Sequence, residues 1–344
     1  MSLTSLERSL LRGRMEASIS ALEGWLPIAV DAGTGEETSP PTVWWRHMGK
    51  TRLKGAFFQD DLALQAHHER RVCQTPLHQL PLQLVDGIST PSVFIFHVSR
   101  CGSTLLTQML NQMQTAIVCS EPPVLDSFFR LHHHAPLRSG GAASLRALVT
   151  ALGQRRVGDE RHLVIKLDAW HLPWATWLHA LYPHTPFVLL YREPEAILAS
   201  HRRQRGLHMV PDLIDLPRLP LITHDLSAGD LDGYGQRVLD ALFQAAAALV
   251  PQLPSMHLLH LKQLPHAIDT LLPHWGLKPT PTEHEAMHTR GNFHSKHGHQ
   301  VFTGDPAPTV LASSIHTKKM DDSPAVHAYH QLERWRLSAT ASVA

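Results

Sequence analysis

The sequence has little of what secreted, membrane-bound or disulfide-rich proteins use. Its cysteines are Cys73, Cys101 and Cys119, an odd and sparse set that cannot form a disulfide framework. We therefore expect reduced thiols in a cytoplasmic protein. The longest apolar stretch, residues 241–250, is too short to cross a bilayer. The charged N-terminus lacks the apolar core of a signal peptide.

An excess of charge is also missing. The 31 lysines and arginines oppose 30 acidic residues, which argues against a general nucleic-acid binder but permits a local basic pocket. Histidine, with 27 residues, is the one excess. We attribute it to a preference for histidine at solvated positions rather than to a metal site. A chain of 344 residues can hold one large α/β domain with an extension, or two domains.

Apolar strands and helices alternate regularly from residue 93 onward. Strands are predicted at 93–98, 116–120, 162–167, 186–191 and 255–261. A helix is predicted over 171–183, and Trp170, Trp174 and Trp177, at helical spacing, are expected in the core. This alternation predicts an α/β fold with a parallel central sheet covered by helices on both faces. Residues 1–90 lack it, so we expect an N-terminal extension there, the α/β domain over 91–300 and a C-terminal segment over 301–344.

The first predicted strand runs into "SRCGST" (99–104) and then directly into an apolar helix. Gly102 permits close backbone approach to an oxyanion, and Ser103 and Thr104 add hydroxyl donors at a helix N-terminus. The helix dipole favours negative charge there. Compared with G-x-x-x-x-G-K-[ST], Ser103 replaces the lysine and Arg100 stands three residues earlier. An ordinary strand-to-helix turn has the same pattern, so this motif alone leaves both interpretations open.

Further polar residues follow the other predicted strands. Glu121 comes just after the second strand, Lys166 at the end of the third and Arg192 at the end of the fourth. Ser200 lies two helical turns beyond Arg192. Ligands of parallel α/β sheets bind at the carboxyl ends of the strands, so these side chains are candidates for one common site.

Together these segments resemble the sulfotransferase superfamily, which transfers a sulfuryl group from 3′-phosphoadenosine 5′-phosphosulfate. "SRCGSTLL" (99–106) is similar to the family's 5′-phosphosulfate loop, and "YREPEAILAS" (191–200) to its 3′-phosphate motif. "CSEPPVLD" (119–126) is similar to the segment with the catalytic glutamate in tyrosylprotein sulfotransferases and their bacterial relatives. Residues 257–277 have the pattern that follows the family's late strand, so the resemblance covers about 93–277.

The resemblance implies a P-loop nucleotide-binding fold of the sulfotransferase type and a role for individual residues. The implied nucleotide-binding residues are Ser99, Arg100, Cys101, Gly102, Ser103, Thr104, Arg192 and Ser200. The implied catalytic residues are Arg100, Glu121 and Lys166. The implied co-substrate is 3′-phosphoadenosine 5′-phosphosulfate, with no metal required. The acceptor is a hydroxyl or amine on a small molecule or a macromolecule, and its identity and the oligomeric state stay open.

The chemistry of sulfuryl transfer asks for such residues. Charge accumulates on the leaving phosphate oxygen while the acceptor attacks in line, as in phosphoryl transfer. Arg100 and the loop amides would stabilise that charge. Glu121 is the expected general base, because it keeps the family's spacing from the loop arginine, and Pro122 and Pro123 favour an extended backbone there. His171 is the alternative base, and we expect it at a capping or surface position.

Three features depart from the family or lack a pattern. Asp168 replaces the histidine that serves as base in the cytosolic enzymes. Their C-terminal nucleotide-binding segment is missing, and residues 289–305 stand near its place, with Arg290 and Lys296 as open candidates for nucleotide contacts. Residues 205–233 are poorly patterned and are a candidate acceptor-side loop or lid.

An ATP- or GTP-dependent kinase is one alternative. The strand at 163–168 ends in Asp168, like a Walker-B strand that holds magnesium. The replacement of the phosphate-loop lysine by Ser103 argues against a kinase. A kinase would also have no use for Arg192 and Ser200.

A zinc peptidase is the other alternative, because "HEAMHTRGNFH" (284–294) matches the metzincin signature. That interpretation assigns zinc binding to His284, His288 and His294, the base to Glu285 and the Met-turn to Met320. We expect instead that Pro279 and Pro281 make a helix begin near Thr282, with Thr282 and Glu285 as a capping box and no bound zinc.

Overall fold

The computed structural model describes residues 3–17, 21–33, 40–82, 86–137, 140–227, 229–293 and 322–341. Within these ranges the strands are β1 (Arg14–Met15), β2 (Trp25–Asp31), β3 (Thr42–His47), β4 (Arg71–Pro76), β5 (Val93–His97), β6 (Ala116–Ser120), β7 (His162–Lys166), β8 (Phe187–Tyr191) and β9 (His257–His260). The first four form one sheet and the last five another.

Helices surround both sheets. They are α1 (Ser5–Leu10), α2 (Phe58–Leu64), α3 (Ser103–Leu110), α4 (Pro123–His134), α5 (Gly141–Leu152), α6 (Ala175–Leu181), α7 (Pro194–Arg203), α8 (Leu231–Leu249), α9 (Ile268–His274), α10 (Pro281–Gly291) and α11 (Pro324–Ala341). Short 3-10 helices cover 67–69, 77–82, 169–174, 207–209 and 261–263. Among the helices in the described ranges, none is long and apolar enough to cross a membrane.

The five-stranded sheet is parallel throughout, with the order β6-β7-β5-β8-β9. Strands β5, β6 and β8 are buried along their whole length, as expected where helices cover both faces. The predicted α/β fold with a parallel sheet is therefore confirmed. Strands β7 and β8 flank the central strand β5 on opposite sides, so the direction in which strands are added to the sheet reverses at β5. The crevice outside the carboxyl end of β5 is where such sheets bind ligands.

The four-stranded sheet was not predicted. Its order is β1-β4-β3-β2, and its buried apolar residues join those of the parallel sheet in one continuous core. Strand β2 packs on α4, where the amide of Val30 donates to Ser127 Oγ at 2.8 Å. All residues of β2 except Asp31 are buried, whichever face of the sheet they lie on. The strand therefore lacks the alternation of apolar and polar residues by which a half-exposed strand is predicted from sequence.

The last described helix packs on the long helix that precedes β9. Near its start, the amide of Ala325 donates to Asp240 Oδ1 of α8 at 3.0 Å. Further along, Tyr191 at the end of β8 donates its hydroxyl to Glu333 Oε1 at 2.5 Å. Helix α11 is thus tied to both α8 and the parallel sheet.

Two predicted segments differ in detail. The helix expected over 171–183 begins instead as the 3-10 helix Ala169–Trp174 and continues as α6. Trp174 is buried and stacks on Phe129 with ring centroids 4.9 Å apart, so its predicted place in the core is confirmed. The described part of 205–233 is irregular apart from one 3-10 turn and the start of α8 at Leu231.

Candidate active site

The loop between β5 and α3, residues 99–104, is folded tightly. Ser99, Arg100 and Gly102 have φ values of 71°, 48° and 87°, in the left-handed region that non-glycine residues seldom occupy. A Cβ on Gly102 would lie 2.3 Å from Leu261 Cδ1. The φ of Gly102 therefore favours glycine, and any larger residue would also displace the side chain of Leu261, a neighbour that the sequence did not indicate. Such a curled backbone at a helix N-terminus forms a concave set of N–H groups suited to an anion.

Two side chains of this loop tether it to the end of α7. Ser99 Oγ lies 3.0 Å from His201 Nε2, and Arg100 Nη2 donates to the carbonyl of Gln204 at 2.7 Å. Arg192, the first residue after β8, approaches the same loop, with its Nη1 3.5 Å from the carbonyl of Arg100. The two arginines that the sequence indicated are therefore neighbours.

The remaining loop residues divide between core and helix. Cys101 is buried, donates its thiol to the carbonyl of Leu190 at 3.2 Å and has a pKa raised to about 11, first by burial. It is therefore a buried, protonated thiol and a poor candidate for a nucleophile. Ser103 and Thr104 are the first two residues of α3, and Thr104 Oγ1 lies 3.3 Å from Lys166 Nζ.

His97, Glu121, Lys166 and Asp168 meet beside this loop, and we call them the open cluster. Glu121 Oε1 lies 2.7 Å from Lys166 Nζ and 3.3 Å from His97 Nε2. Lys166 is 1% exposed and Glu121 20% exposed. The structure thus brings together two predicted catalytic residues from separate strands. Glu121 has a φ of 56°, so the extended backbone predicted from the following prolines is wrong.

The pKa values of the two carboxyl groups in the open cluster move in opposite directions. Burial alone raises the pKa of Glu121, but the charge of Lys166 and the contact with His97 outweigh it, so the pKa is far below its ordinary value. Asp168 has a pKa well above its ordinary value, first because of burial and then because of the charges of Glu121 and Asp126. An ionised carboxylate and a neutral carboxyl thus stand side by side, a pattern typical of acid–base sites.

Asp126, Arg130, Trp170 and His171 form a second group, which we call the sealed cluster. Asp126 Oδ2 accepts from Arg130 Nε at 2.8 Å, and its Oδ1 accepts from Trp170 Nε1 at 2.7 Å and lies 3.0 Å from His171 Nε2. Arg130 also pairs with Glu7 of α1. Burial raises the pKa of Asp126, but His171 and Arg130 lower it to a net value of about 2.

His171 has no access to an acceptor. It is 1% exposed, and its Nδ1 accepts from the amide of Asp168 at 3.3 Å within a capping box at the start of the 3-10 helix. The expected capping role is confirmed, and the expected surface position is wrong. Because both ring nitrogens are engaged, His171 is a poorer candidate for the base than Glu121.

Three residues that lie in the site were not predicted from the sequence. His97, the last residue of β5, was not among the predicted site residues. His208 is buried, lies with its ring centroid 5.3 Å from those of Trp170 and His201, and has a pKa lowered to about 4, mainly by burial. Phe57 comes from the N-terminal region, with its ring centroid 5.0 Å from Lys166 Nζ, a cation–π contact. The aromatic and basic stretch around Phe57 was the available signal.

Other predicted residues lie at the margin of the site. Ser200 is half-buried on α7, next to His201. Arg290 of α10 lies with its Nη2 3.5 Å from Gln108 Oε1 of α3, while Lys296 falls outside the described residues.

The kinase interpretation assigns magnesium binding to Asp168. This residue caps the 3-10 helix 169–174, is buried, and has a pKa raised well above the ordinary value. The kinase interpretation therefore depends on Asp168 alone, since Ser103 is the first residue of α3, where the phosphate-loop lysine would stand.

The segment with the metzincin-like motif also begins differently from the prediction. Helix α10 begins at Pro281, with Thr280 as N-cap and Glu283 as the capping-box glutamate, so the predicted box of Thr282 and Glu285 is wrong by two residues. Proline at the first helical position explains the shift. Glu285 is exposed. His294 and Met320 lie outside the described residues.

Fold and site together define a parallel α/β protein with a tightly curled loop and a group of buried ionisable side chains at the carboxyl end of its central strand. No protein-family model matches the chain. A segment of 138 residues is 27% identical to the nodulation protein NoeE of Sinorhizobium fredii (strain NBRC 101917 / NGR234) and covers 35% of this chain. The matched part is 33% of that protein, about a third of its length.

Two solved structures are similar to the chain. Sulfotransferase STF1 from Mycobacterium tuberculosis H37Rv is 15% identical, with a TM-score of 0.40, over 59% of this chain and 72% of that chain. The sulfotransferase domain from the curacin biosynthetic pathway is 16% identical, with a TM-score of 0.37, over 56% of this chain and 76% of that one. Both of these neighbours are sulfotransferases.

Proposed function

We propose that this protein transfers a sulfuryl group from 3′-phosphoadenosine 5′-phosphosulfate to a hydroxyl or amine acceptor. The observation that carries the proposal is the position of Lys166 Nζ, 3.3 Å from Thr104 Oγ1 on the donor side and 2.7 Å from Glu121 Oε1 on the acceptor side. One cation thus links the curled loop at the start of α3 to an ionised carboxylate.

On the donor side, the loop amides and the hydroxyls of Ser103 and Thr104 would hold the 5′-phosphosulfate. Lys166 and Arg100 would stabilise the negative charge that develops on the leaving phosphate oxygen, since preorganised cations cost no reorganisation during the reaction. Arg192 and Ser200 would bind the 3′-phosphate, for which a guanidinium fork is suited.

On the acceptor side, Glu121 would take the proton from the attacking hydroxyl or amine. Its low pKa makes it a weak base, but one that is ionised at every physiological pH. A weak base suffices where the transition state is loose and the acceptor becomes acidic only as its bond to sulfur forms. Asp168, which favours its neutral form, would add no second negative charge to the site.

We assign acceptor binding to the irregular segment between α7 and α8. It exposes the apolar side chains of Leu207, Leu213 and Ile222, while His208 from the same segment is buried beside Trp170. A mostly irregular segment of this length next to a site is typical of a binding loop or lid. We also place the reaction in the cytoplasm, since the three cysteines are buried free thiols.

Calorimetry with 3′-phosphoadenosine 5′-phosphate, ATP–Mg²⁺ and GTP–Mg²⁺ in parallel tests the donor assignment. We expect binding of 3′-phosphoadenosine 5′-phosphate at one per chain, without added metal, and at least roughly 10-fold tighter than ATP, because a charge-assisted contact to the 3′-phosphate is worth about 1.5–3 kcal/mol. Preference for ATP with magnesium would overturn the proposal in favour of a kinase.

A further inference from the structure

Three potential metal ligands converge on the surface between α9 and α10. His284 Nε2 and His288 Nε2 each lie 2.8 Å from Asp269 Oδ1. The two imidazole centroids are 4.7 Å apart, and one potential ligand atom from each residue lies within 4.8 Å of the others. This convergence joins two neighbours on one helix to a residue from another helix.

The helical period explains the two histidines. Residues four apart lie on one face of a helix, so His284 and His288 both face α9. Glu285 lies about 100° further round the helix and is exposed. The H-E-x-x-H sequence therefore supplies a histidine pair, with Asp269 as its partner and Glu285 outside the group.

The sequence led us to expect no bound zinc in this segment, but on the convergence of these three side chains we propose that Asp269, His284 and His288 bind one divalent transition-metal ion of the Zn²⁺ type. Zinc lies about 2.0–2.2 Å from nitrogen and carboxylate ligands, so tetrahedral ligands are roughly 3.4 Å apart. The observed 2.8 Å contacts need to open by only about 0.6 Å to admit the ion. Two imidazoles with one carboxylate select zinc, cobalt or nickel over magnesium and calcium.

The ion would have a structural role and an open coordination position. His288 is 30% exposed and Asp269 47% exposed, so water can complete the coordination sphere. Helix α10 also contacts the turn between α3 and β6, since Glu283 Oε1 accepts from the amide of Gln114 at 2.6 Å. An ion that ties α9 to α10 would stabilise this side of the fold by mass action.

The second potential metal group, Asp126 with Asp168 and His171, carries no such proposal. Arg130 and Trp170 already donate to Asp126, and its Oδ1 also lies 3.0 Å from His171 Nε2, so both carboxylate oxygens are already engaged. The α9–α10 site is separate from the open cluster, and the proposed sulfuryl transfer does not depend on it.

Titration of untagged, metal-stripped protein with Zn²⁺ alone tests the site by calorimetry, with Co²⁺ absorption as a report of the ligand field. We expect one ion per chain and a rise in thermal midpoint. His288→Ala and Asp269→Asn should each weaken binding by more than roughly 100-fold, since loss of an outer partner alone costs 10–100-fold. His274→Ala, an exposed histidine on α9, is the matched control and should bind like the wild type.

Absence of a stoichiometric ion would overturn the proposal, as would unchanged affinity in both His288→Ala and Asp269→Asn. Binding of several ions per chain that survives both substitutions would assign zinc to the scattered histidines instead. Folding of the variants is checked by circular dichroism, and Asp269→Asn keeps the shape of the side chain if His288→Ala proves unstable.

Discussion

The open and sealed clusters use the same kinds of residue differently. Each joins a carboxylate to a cation and a histidine that are almost fully buried. In the sealed cluster Asp126 receives donors on both oxygens, and its cation has a second carboxylate partner. In the open cluster Glu121 is held through Oε1 and stands beside Asp168, a carboxyl group with the opposite pKa shift. Residue type alone therefore does not distinguish the two clusters, which differ in the partners of their carboxylates.

The largest effect is expected for Glu121→Gln. Loss of the base should lower turnover on the order of 10²-fold or more, with binding of 3′-phosphoadenosine 5′-phosphate retained. The free energy of unfolding should also fall by about 3 kcal/mol, because buried Lys166 loses its charged partner. Turnover per folded molecule, measured well below the thermal midpoint, separates the two effects.

Two further variants check that interpretation. Lys166→Met added to Glu121→Gln should restore stability but not turnover. His171→Ala, in the sealed cluster, should lower stability and leave turnover per folded molecule nearly unchanged. If His171→Ala loses turnover and Glu121→Gln keeps it, His171 is the base.

Arg100→Ala should lower turnover by roughly 10²-fold, as loss of a preorganised charge-stabilising donor does in other enzymes. Its guanidinium is anchored to the carbonyl of Gln204, so a small loss of stability should accompany the change. Steady-state kinetics with circular dichroism checks both. Unchanged turnover would remove Arg100 from the proposed mechanism.

Arg192→Ala should change the relative affinity for nucleotides with and without a 3′-phosphate. Loss of a charge-assisted contact is worth about 1.5–3 kcal/mol, so binding of 3′-phosphoadenosine 5′-phosphate should weaken by roughly 10–100-fold. Adenosine 5′-phosphosulfate, which lacks the 3′-phosphate, should be affected far less. Calorimetry with both ligands decides, and an equal loss would mean that Arg192 serves only to support the loop.

Asp126→Asn and Asp168→Asn form a matched pair across the two clusters. Asp126→Asn weakens three donor contacts and should cost about 1–3 kcal/mol in urea unfolding at pH 7. Asp168→Asn resembles the neutral form that the fold favours, so its stability should be unchanged or slightly higher. A large destabilisation by Asp168→Asn would mean that its carboxylate form is the one the fold uses.

The smallest effect is the pH dependence of stability. The pKa values of Glu121 and Asp126 are lowered by folding, so their contribution is complete above the ordinary values of 4.5 and 3.8 and is lost as pH falls below them. Asp168 has a raised pKa and acts oppositely, losing stability as pH rises above 3.8. Urea unfolding between pH 3 and 7 should show a shallower slope for Asp126→Asn than for the wild type.

The sequence by itself determined the parallel sheet and the edge at which the site lies. Uniform apolar strands separated by helices specify a sheet covered on both faces, and the carboxyl ends of such strands meet. For that reason Arg100, Glu121, Lys166 and Arg192 could be predicted to gather from four separate segments. Gly102 could be identified because a sharp turn before a helix favours glycine.

Tertiary structure alone decided which side chains pair and which backbone angles they take. The backbone of Glu121 is in the left-handed region, although the proline that follows favours an extended conformation. Its amide donates to the carbonyl of Lys166 on the neighbouring strand, and this contact holds it there. Asp269 joins His284 and His288 because α9 and α10 pack together. Local patterns encode the period and the turns of the backbone. Pairing between distant residues depends on distances that exist only once the elements have packed.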